Sequence, residues 1–166
     1  MEEACAHMVN KQIRITFVRE DVSAVAVLLT NMAPKTCQCI WDLLNTPVEG
    51  PAIHAMWTGR EISFPILAER FPKDEGLSIP PENQTVIPIP GDLIWNAYRP
   101  YEWQGNPNPV YDFGIFYGRD GRLFLPVGWR PSNRFGMIVE NLDAFADVCA
   151  RCQSEGRKAL RLTRIE

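Results

Sequence analysis

A chain of 166 residues with 46% apolar and 22% charged side chains has room for one domain and the make-up of an ordinary globular protein. A formal net charge of -3 leaves no basic footprint for a phosphate backbone, so no nucleic-acid partner is expected. The longest apolar run, Val22 to Leu29, is interrupted by Ser23 and falls far short of the roughly 20 residues of a membrane helix. The Met-Glu-Glu start shows no basic region followed by an apolar one, so no membrane and no secretory signal are expected, and the setting is cytoplasmic.

Residues 1–10 show no periodicity and are expected to be a flexible tail before a single domain over 11–166. Lys11 to Arg19 alternates, with Ile13, Ile15 and Phe17 on one face and Arg14 and Thr16 on the other, the pattern of a half-buried strand. Glu20-Asp21 turns the chain into a second strand over Ala24 to Leu29. Pro34 suits a first helical position, where its missing N–H costs nothing. Cys37, Ile40, Trp41 and Leu44 then follow an i, i+3, i+4, i+7 stripe and predict a helix over 34–44. Asn45 to Pro51 reads as loop.

Ala52 to Pro65 reads as a hairpin turning at Thr58-Gly59. A two-residue turn places Met56 opposite Glu61, Ala55 opposite Ile62 and His54 opposite Ser63. Ile53, Ala55, Ile62 and Phe64 then form a core face, and His54, Met56, Glu61 and Ser63 share the other. Phe71 to Gln84 is a loop rich in proline and charge. Thr85 to Ile89, Asp92 to Trp95 and Tyr111 to Tyr117 read as strands, with a long loop over Asn96 to Val110. Asp120-Gly121 signals a hairpin into Leu123-Phe124-Leu125. Phe135 to Glu140 is a strand, Asn141 caps a helix over 142–154 that Gly156 stops, and Lys158 to Ile165 is the last strand. Eight to ten short strands and two helices suit a closed antiparallel barrel, in which no edge strand is left exposed.

Of the five cysteines, Cys149 and Cys152 have the spacing of a redox pair or half a zinc site. They fall near the C-terminal end of their helix, where no dipole lowers a thiol pKa, and structural cysteines are expected. No metal or cofactor is expected.

His54, Ser63 and Glu61 on one face invite a nucleophilic triad, but Ser63 lies mid-strand without the sharp turn that exposes a nucleophile. General acid–base work by His54 and Glu61 is the catalytic expectation, set against a polar sheet face with satisfied hydrogen bonds. Trp57, Trp95, Tyr98, Tyr101 and Trp103, interleaved with Arg99, are costly to leave wet; they form either a lid over a pocket or a contact with another subunit. Arg60, Arg99, Arg130 and Arg134 come from separate segments and would hold a carboxylate if two converged.

Met32-Ala33-Pro34-Lys35-Thr36 at the early helix, and Asn133-Arg134-Phe135-Gly136-Met137-Ile138 running into the late one, resemble the matching segments of cyclophilins. Trp57-Thr58-Gly59-Arg60-Glu61, Pro90-Gly91-Asp92-Leu93-Ile94-Trp95 and Phe113-Gly114-Ile115-Phe116-Tyr117-Gly118 resemble more closely a bacterial family of small cyclophilin-like proteins of unknown function. The resemblance implies a mainly β fold, a cyclophilin-like barrel of about eight strands with two capping α-helices. Ala55 stands where the isomerases of that fold carry an arginine, and Ser132 where they carry a histidine, while Phe113 or Phe116, and Trp129, match pocket aromatics.

The expected function is therefore binding of a small anionic or amide-containing metabolite in a surface groove. His54 and Glu61 would be catalytic, and Trp57, Arg60, Trp95, Tyr98, Arg99, Phe113 and Trp129 would bind the ligand. Two alternatives stand beside it: a homo-oligomeric interaction module that uses the aromatic loop, and a degenerate peptidyl-prolyl isomerase.

Overall fold

The computed structural model describes residues 11–166. In chain order the elements are β1 (Gln12–Phe17), β2 (Val22–Leu28), α1 (Pro34–Leu43), β3 (Val48–His54), β4 (Glu61–Ile66), β5 (Gln84–Thr85), β6 (Asp92–Tyr98), β7 (Val110–Phe116), β8 (Phe124–Leu125), β9 (Gly128–Trp129), β10 (Ser132–Glu140), α2 (Leu142–Glu155) and β11 (Lys158–Ile165). Two short 3₁₀ segments follow β4, Ala68–Arg70 and, within the proline-rich stretch, Pro72–Leu77. The expected tail at 1–10 lies outside the described residues.

The strands pair in the order β2-β1-β11-β3-β4-β7-β6-β10, and β10 pairs back onto β2, closing an eight-stranded antiparallel barrel. Alternation fills it. Ile13, Ile15 and Phe17 of β1, Ile62 and Phe64 of β4, Phe113 and Ile115 of β7, Phe135 of β10 and Leu160 and Leu162 of β11 all point inward and are fully buried. Each such side chain contributes roughly 1.5–3 kcal/mol relative to exposure, so the interior dominates stability. Helix α2 lies against β2 and β3, with Phe145 stacked on Phe17 at 4.7 Å. Helix α1 lies against β10, where the Cys37 thiol donates to the Phe135 carbonyl at 3.2 Å. Among the described residues no helix is long and apolar enough to cross a membrane.

Several expected boundaries move, each for an identifiable reason. Strand β3 begins at Val48, inside the expected loop, because Val48 to Ala52 pairs with β11. Pro51 is tolerated there because β4 reaches only Ile53 and His54 of β3. The strand expected over Thr85 to Ile89 stops at Thr85, since Pro88 and Pro90 cannot donate to a ladder. Strand β6 runs on to Tyr98, pairing Asn96 with Asp112 and Tyr98 with Val110. Asn141 takes a left-handed conformation (φ 61°) and makes no side-chain cap; its amide donates to the Ser23 carbonyl at 2.7 Å instead.

The β3–β4 hairpin carries the largest correction. Ala55 to Arg60 forms a six-residue connection bending at Gly59 (φ 92°), not a two-residue turn. Ile53 therefore pairs with Ser63 and His54 with Ile62, one residue out of the expected register. A slip of one exchanges the faces of a strand.

Candidate functional site

The exchange of faces decides what the hairpin presents. On the outer side of the barrel lie Ile53, Ala55, Glu61, Ser63 and Pro65, and in register beside them Asp112 and Gly114 of β7 and Asn96 and Tyr98 of β6. Trp57 from the β3–β4 connection and Trp103 from the β6–β7 loop fold over this surface, with ring centroids 5.8 Å apart and planes at 76°. Trp103 also packs on Tyr98 at 4.9 Å. Beneath them is a cavity of about 210 Å³, walled by Met56, Trp57, Tyr98, Trp103 and Val110 and floored by Thr58, Glu61, Ser63, Asn96 and Asp112.

The floor is acidic. Glu61 is only 3% exposed, and Thr58 donates a short hydrogen bond to its Oε2. Its Oε1 lies over Gly114, where a Cβ would collide with it. Asp112 is partly open to the cavity and accepts from the Ser63 hydroxyl at 2.5 Å. Burial, then the neighbouring Asp112 carboxylate, pushes the Glu61 carboxyl well above the usual range. Burial also raises Asp112, against the Ser63 hydrogen bond that lowers it. Among the described residues no lysine, arginine or histidine lines the cavity. Each carboxyl makes the other harder to ionise, so the two titrate as a pair. Burial, reinforced by Asp112, likewise raises the Tyr98 phenol.

The structure thus brings Trp57, Glu61 and Tyr98 together and places the other expected residues elsewhere. His54 lies on the opposite face of the hairpin from Glu61, towards α2. Its Nδ1 is 2.8 Å from the Ala55 carbonyl, which can only accept, so that nitrogen donates; in the neutral ring Nε2 accepts from the Tyr117 hydroxyl at 2.7 Å. His54 and Glu61 do not form one acid–base pair. Arg60 is exposed, with its side chain along Gly118. Phe113 and Trp95 point into the barrel interior. Trp95 Nε1 donates to the Gly76 carbonyl at 3.3 Å and borders a separate polar groove, which Arg99, Glu102 and Arg130 also line. Trp129, 57% exposed, packs on Phe124 in the β8–β9 hairpin. The expected convergence of arginines does not occur: Arg130 pairs with Glu102 at 2.6 Å and covers the Tyr98 ring at 4.5 Å, and Arg134 pairs with Asp92 at 2.5 Å.

Asp112 escaped the sequence reading. Its signal was the alternation of Tyr111, Phe113 and Ile115, which leaves a mid-strand carboxylate facing the other way, with a glycine two residues on. Cys149 and Cys152 are buried and free, and burial raises both thiols. Among the described residues no group of three or more His, Cys, Asp or Glu side chains is placed to hold a metal ion.

Fold and cavity define a small closed β-barrel with a carboxyl-floored, aromatic-walled recess on its outer surface. The chain belongs to the family described as protein of unknown function DUF3830, whose profile matches residues 15–164. No curated protein is similar in sequence. Among solved structures the fold is similar to that of McbB in complex with tryptophan (TM-score 0.65, 16% identity over 91% of this chain and 44% of that one). It is also similar to the solution structure of the hypothetical protein AF2241 from Archaeoglobus fulgidus (TM-score 0.55, 18% identity, 97% and 99% covered). The chain spans less than half the length of McbB, and at these identities the likeness is one of fold.

Proposed function

We propose that this protein binds a small organic molecule in the recess under Trp57 and Trp103, with its polar end on the Glu61–Asp112 floor. The observation that carries the reading is an apolar cavity of about 210 Å³ with a few convergent polar groups at one end, two of them carboxyls with raised pKa. The volume suits a metabolite-sized ligand. Of the two chemistries considered from sequence, anionic and amide-containing, the floor favours a hydrogen-bond donor such as an amide over an anion, because it offers acceptors and no cation. McbB, whose barrel is similar, was solved with tryptophan; its aromatic ring and amino group are of a kind that suits these walls and this floor, whereas its carboxylate is not. Trp103 acts as the lid that the aromatic loop suggested. The free thiols of Cys37, Cys39, Cys149 and Cys152 agree with a reducing, cytoplasmic setting.

Thermal shift against a metabolite library tests the reading, with wild type beside Trp103→Ala. A ligand at about 100 times its Kd adds roughly 2.7 kcal/mol of stability. Compounds that stabilise wild type are expected to lose most of their effect in the variant. An equal response of both proteins would remove the cavity as the site.

A second reading, association with another copy of the chain, is favoured by one feature, the exposed apolar side chains of Phe124, Val127 and Trp129 on the β8–β9 hairpin. Sedimentation of wild type beside Val127→Glu would show it as a mass lost in the variant; a monomeric wild type rejects it. A cyclophilin-like prolyl isomerase has least support. No guanidinium lines the cavity, and Ala55 contributes only a methyl group where the resemblance puts arginine.

A further inference from the structure

The geometry points to a singly charged organic cation, an aromatic amine in its ammonium form, as the ligand class of this cavity, held over Asp112 with its ring beneath the contiguous cover of Trp57, Trp103 and Tyr98. The inference rests on the binding reading above and sharpens it. Four observations carry it.

Among the described residues the cavity holds two carboxyls and no protein cation. Buried carboxyls are ordinarily paired or neutralised, because a charge out of water costs several kcal/mol unless compensated. Here the arginines that could compensate are spent elsewhere, Arg130 on Glu102 and the Ala97 carbonyl and Arg134 on Asp92. The compensation that remains is a proton and a bound cation.

The two carboxyls are not equivalent. Glu61 is shut off by the turn of Thr58 and the backbone at Gly114, whereas Asp112 is partly open to the cavity. The proton belongs on the closed one and the charge on the open one, so the floor presents one negative charge at the position a ligand can reach. A dication would leave a positive charge uncompensated, and an anion would meet repulsion without a donor in return.

The hydroxyls are already committed. Thr58 donates to Glu61, and Ser63 and the Phe64 backbone to Asp112, so both carboxyls are anchored and a ligand ammonium adds the charged donor that Asp112 lacks. A neutral amide can donate as well, but leaves the charge unmet.

The Trp57 and Trp103 indoles, whose planes cross near a right angle, line the cavity with electron-rich rings, while Tyr98 is already covered by Trp103 and Arg130. Indole faces attract an ammonium or its polarised methylenes by roughly 0.5–2 kcal/mol each when water is excluded.

The test uses isothermal titration on the full chain at pH 7 with three probes of one shape, tryptamine, 3-propylindole and indole-3-propionate, against wild type, Asp112→Asn and Glu61→Gln. Wild type is expected to bind the amine at least tenfold tighter than the neutral probe, and the carboxylate most weakly. Asp112→Asn is expected to bind amine and neutral probe alike, retained neutral-probe binding proving it folded. Glu61→Gln leaves the charge on Asp112 and is expected to keep the preference. Neutral and amine probes binding wild type equally, or the carboxylate binding best, would overturn the charge assignment while leaving the binding reading intact. Failure of all three probes to bind wild type at millimolar concentration would overturn both. If Asp112→Asn does not fold, the wild-type ranking and the Glu61→Gln preference decide the matter by themselves.

Discussion

Glu82 shows how far a single side chain reaches in this molecule. Helix α1 starts at Pro34 after Ala33, which has no capping atom, yet its first N–H groups are not left bare. Both Glu82 oxygens serve them from 46 and 47 residues away: Oε1 accepts from the Lys35 N–H at 3.0 Å, and Oε2 accepts from the Thr36 N–H at 2.9 Å and the Thr36 hydroxyl at 2.8 Å. Burial alone would raise the Glu82 carboxyl, but these hydrogen bonds outweigh it and hold the group below its ordinary value. Glu82→Ala should therefore cost about 0.5–2 kcal/mol, the usual worth of an N-cap. A carboxyl with a depressed folded pKa stabilises above its unfolded value of about 4.5 and loses that contribution as pH falls through the folded one. Urea unfolding of wild type and variant at pH 7 and at pH 3 checks both points; the gap should narrow at the lower pH, and a gap that stays constant would deny the cap its charge.

Among the elements, the β4–β7 pair is built around a missing side chain. Gly114 pairs with Ser63 on the outer face, and the Glu61 carboxyl occupies the space a Cβ would take. The glycine is there for close approach, since its backbone needs no unusual φ. Gly114→Ala should destabilise by about 1–3 kcal/mol through overpacking, and much of that cost should vanish in a Glu61→Ala background. A double-mutant cycle by denaturant unfolding reads this directly; additive costs would mean that the two positions do not touch. The same pair of strands explains how much of the site was legible. Strand β1 can be read from the alternation of Ile13, Ile15 and Phe17, α1 from its apolar stripe and α2 from Asn141 and Gly156 at its ends, to within a residue or two. Trp57 and Tyr98 are legible as site residues from their types, and Glu61 from its place on the polar face of the hairpin. His54 was joined to Glu61 only because a two-residue turn was assumed, and six residues of irregular backbone between β3 and β4 gave no periodicity from which to count.

At the scale of the whole molecule, the buried carboxyl pair makes stability depend on pH in the direction opposite to Glu82. A carboxyl whose folded pKa lies above its unfolded value holds its proton more tightly in the native state. Its stabilisation is complete below the unfolded value of about 4.5 and declines as pH rises through the folded one. Wild type should therefore lose stability between about pH 4.5 and the slightly alkaline range, and Glu61→Gln, which mimics the protonated acid, should flatten the decline and be the more stable protein at its upper end. Thermal unfolding across that interval, compared between the two proteins, decides it; parallel curves would show that Glu61 does not carry the proton. A bound ammonium would flatten the wild-type curve as well, since it compensates the same charge.

What the amino-acid order settles alone is periodic: which residues can face a core, where proline forbids a ladder, where an apolar stripe must coil, and hence a mainly β domain with two helices. Those signals are local, spanning two to eleven residues, and they survive in any register. Tertiary structure decided which outer face Glu61 shares, that Asp112 is its partner from 51 positions further along the chain, and that His54 turns away to Tyr117. Strand register follows from loop geometry and from pairing between remote segments, and a shift of one residue reverses a face without altering the pattern that announced the strand.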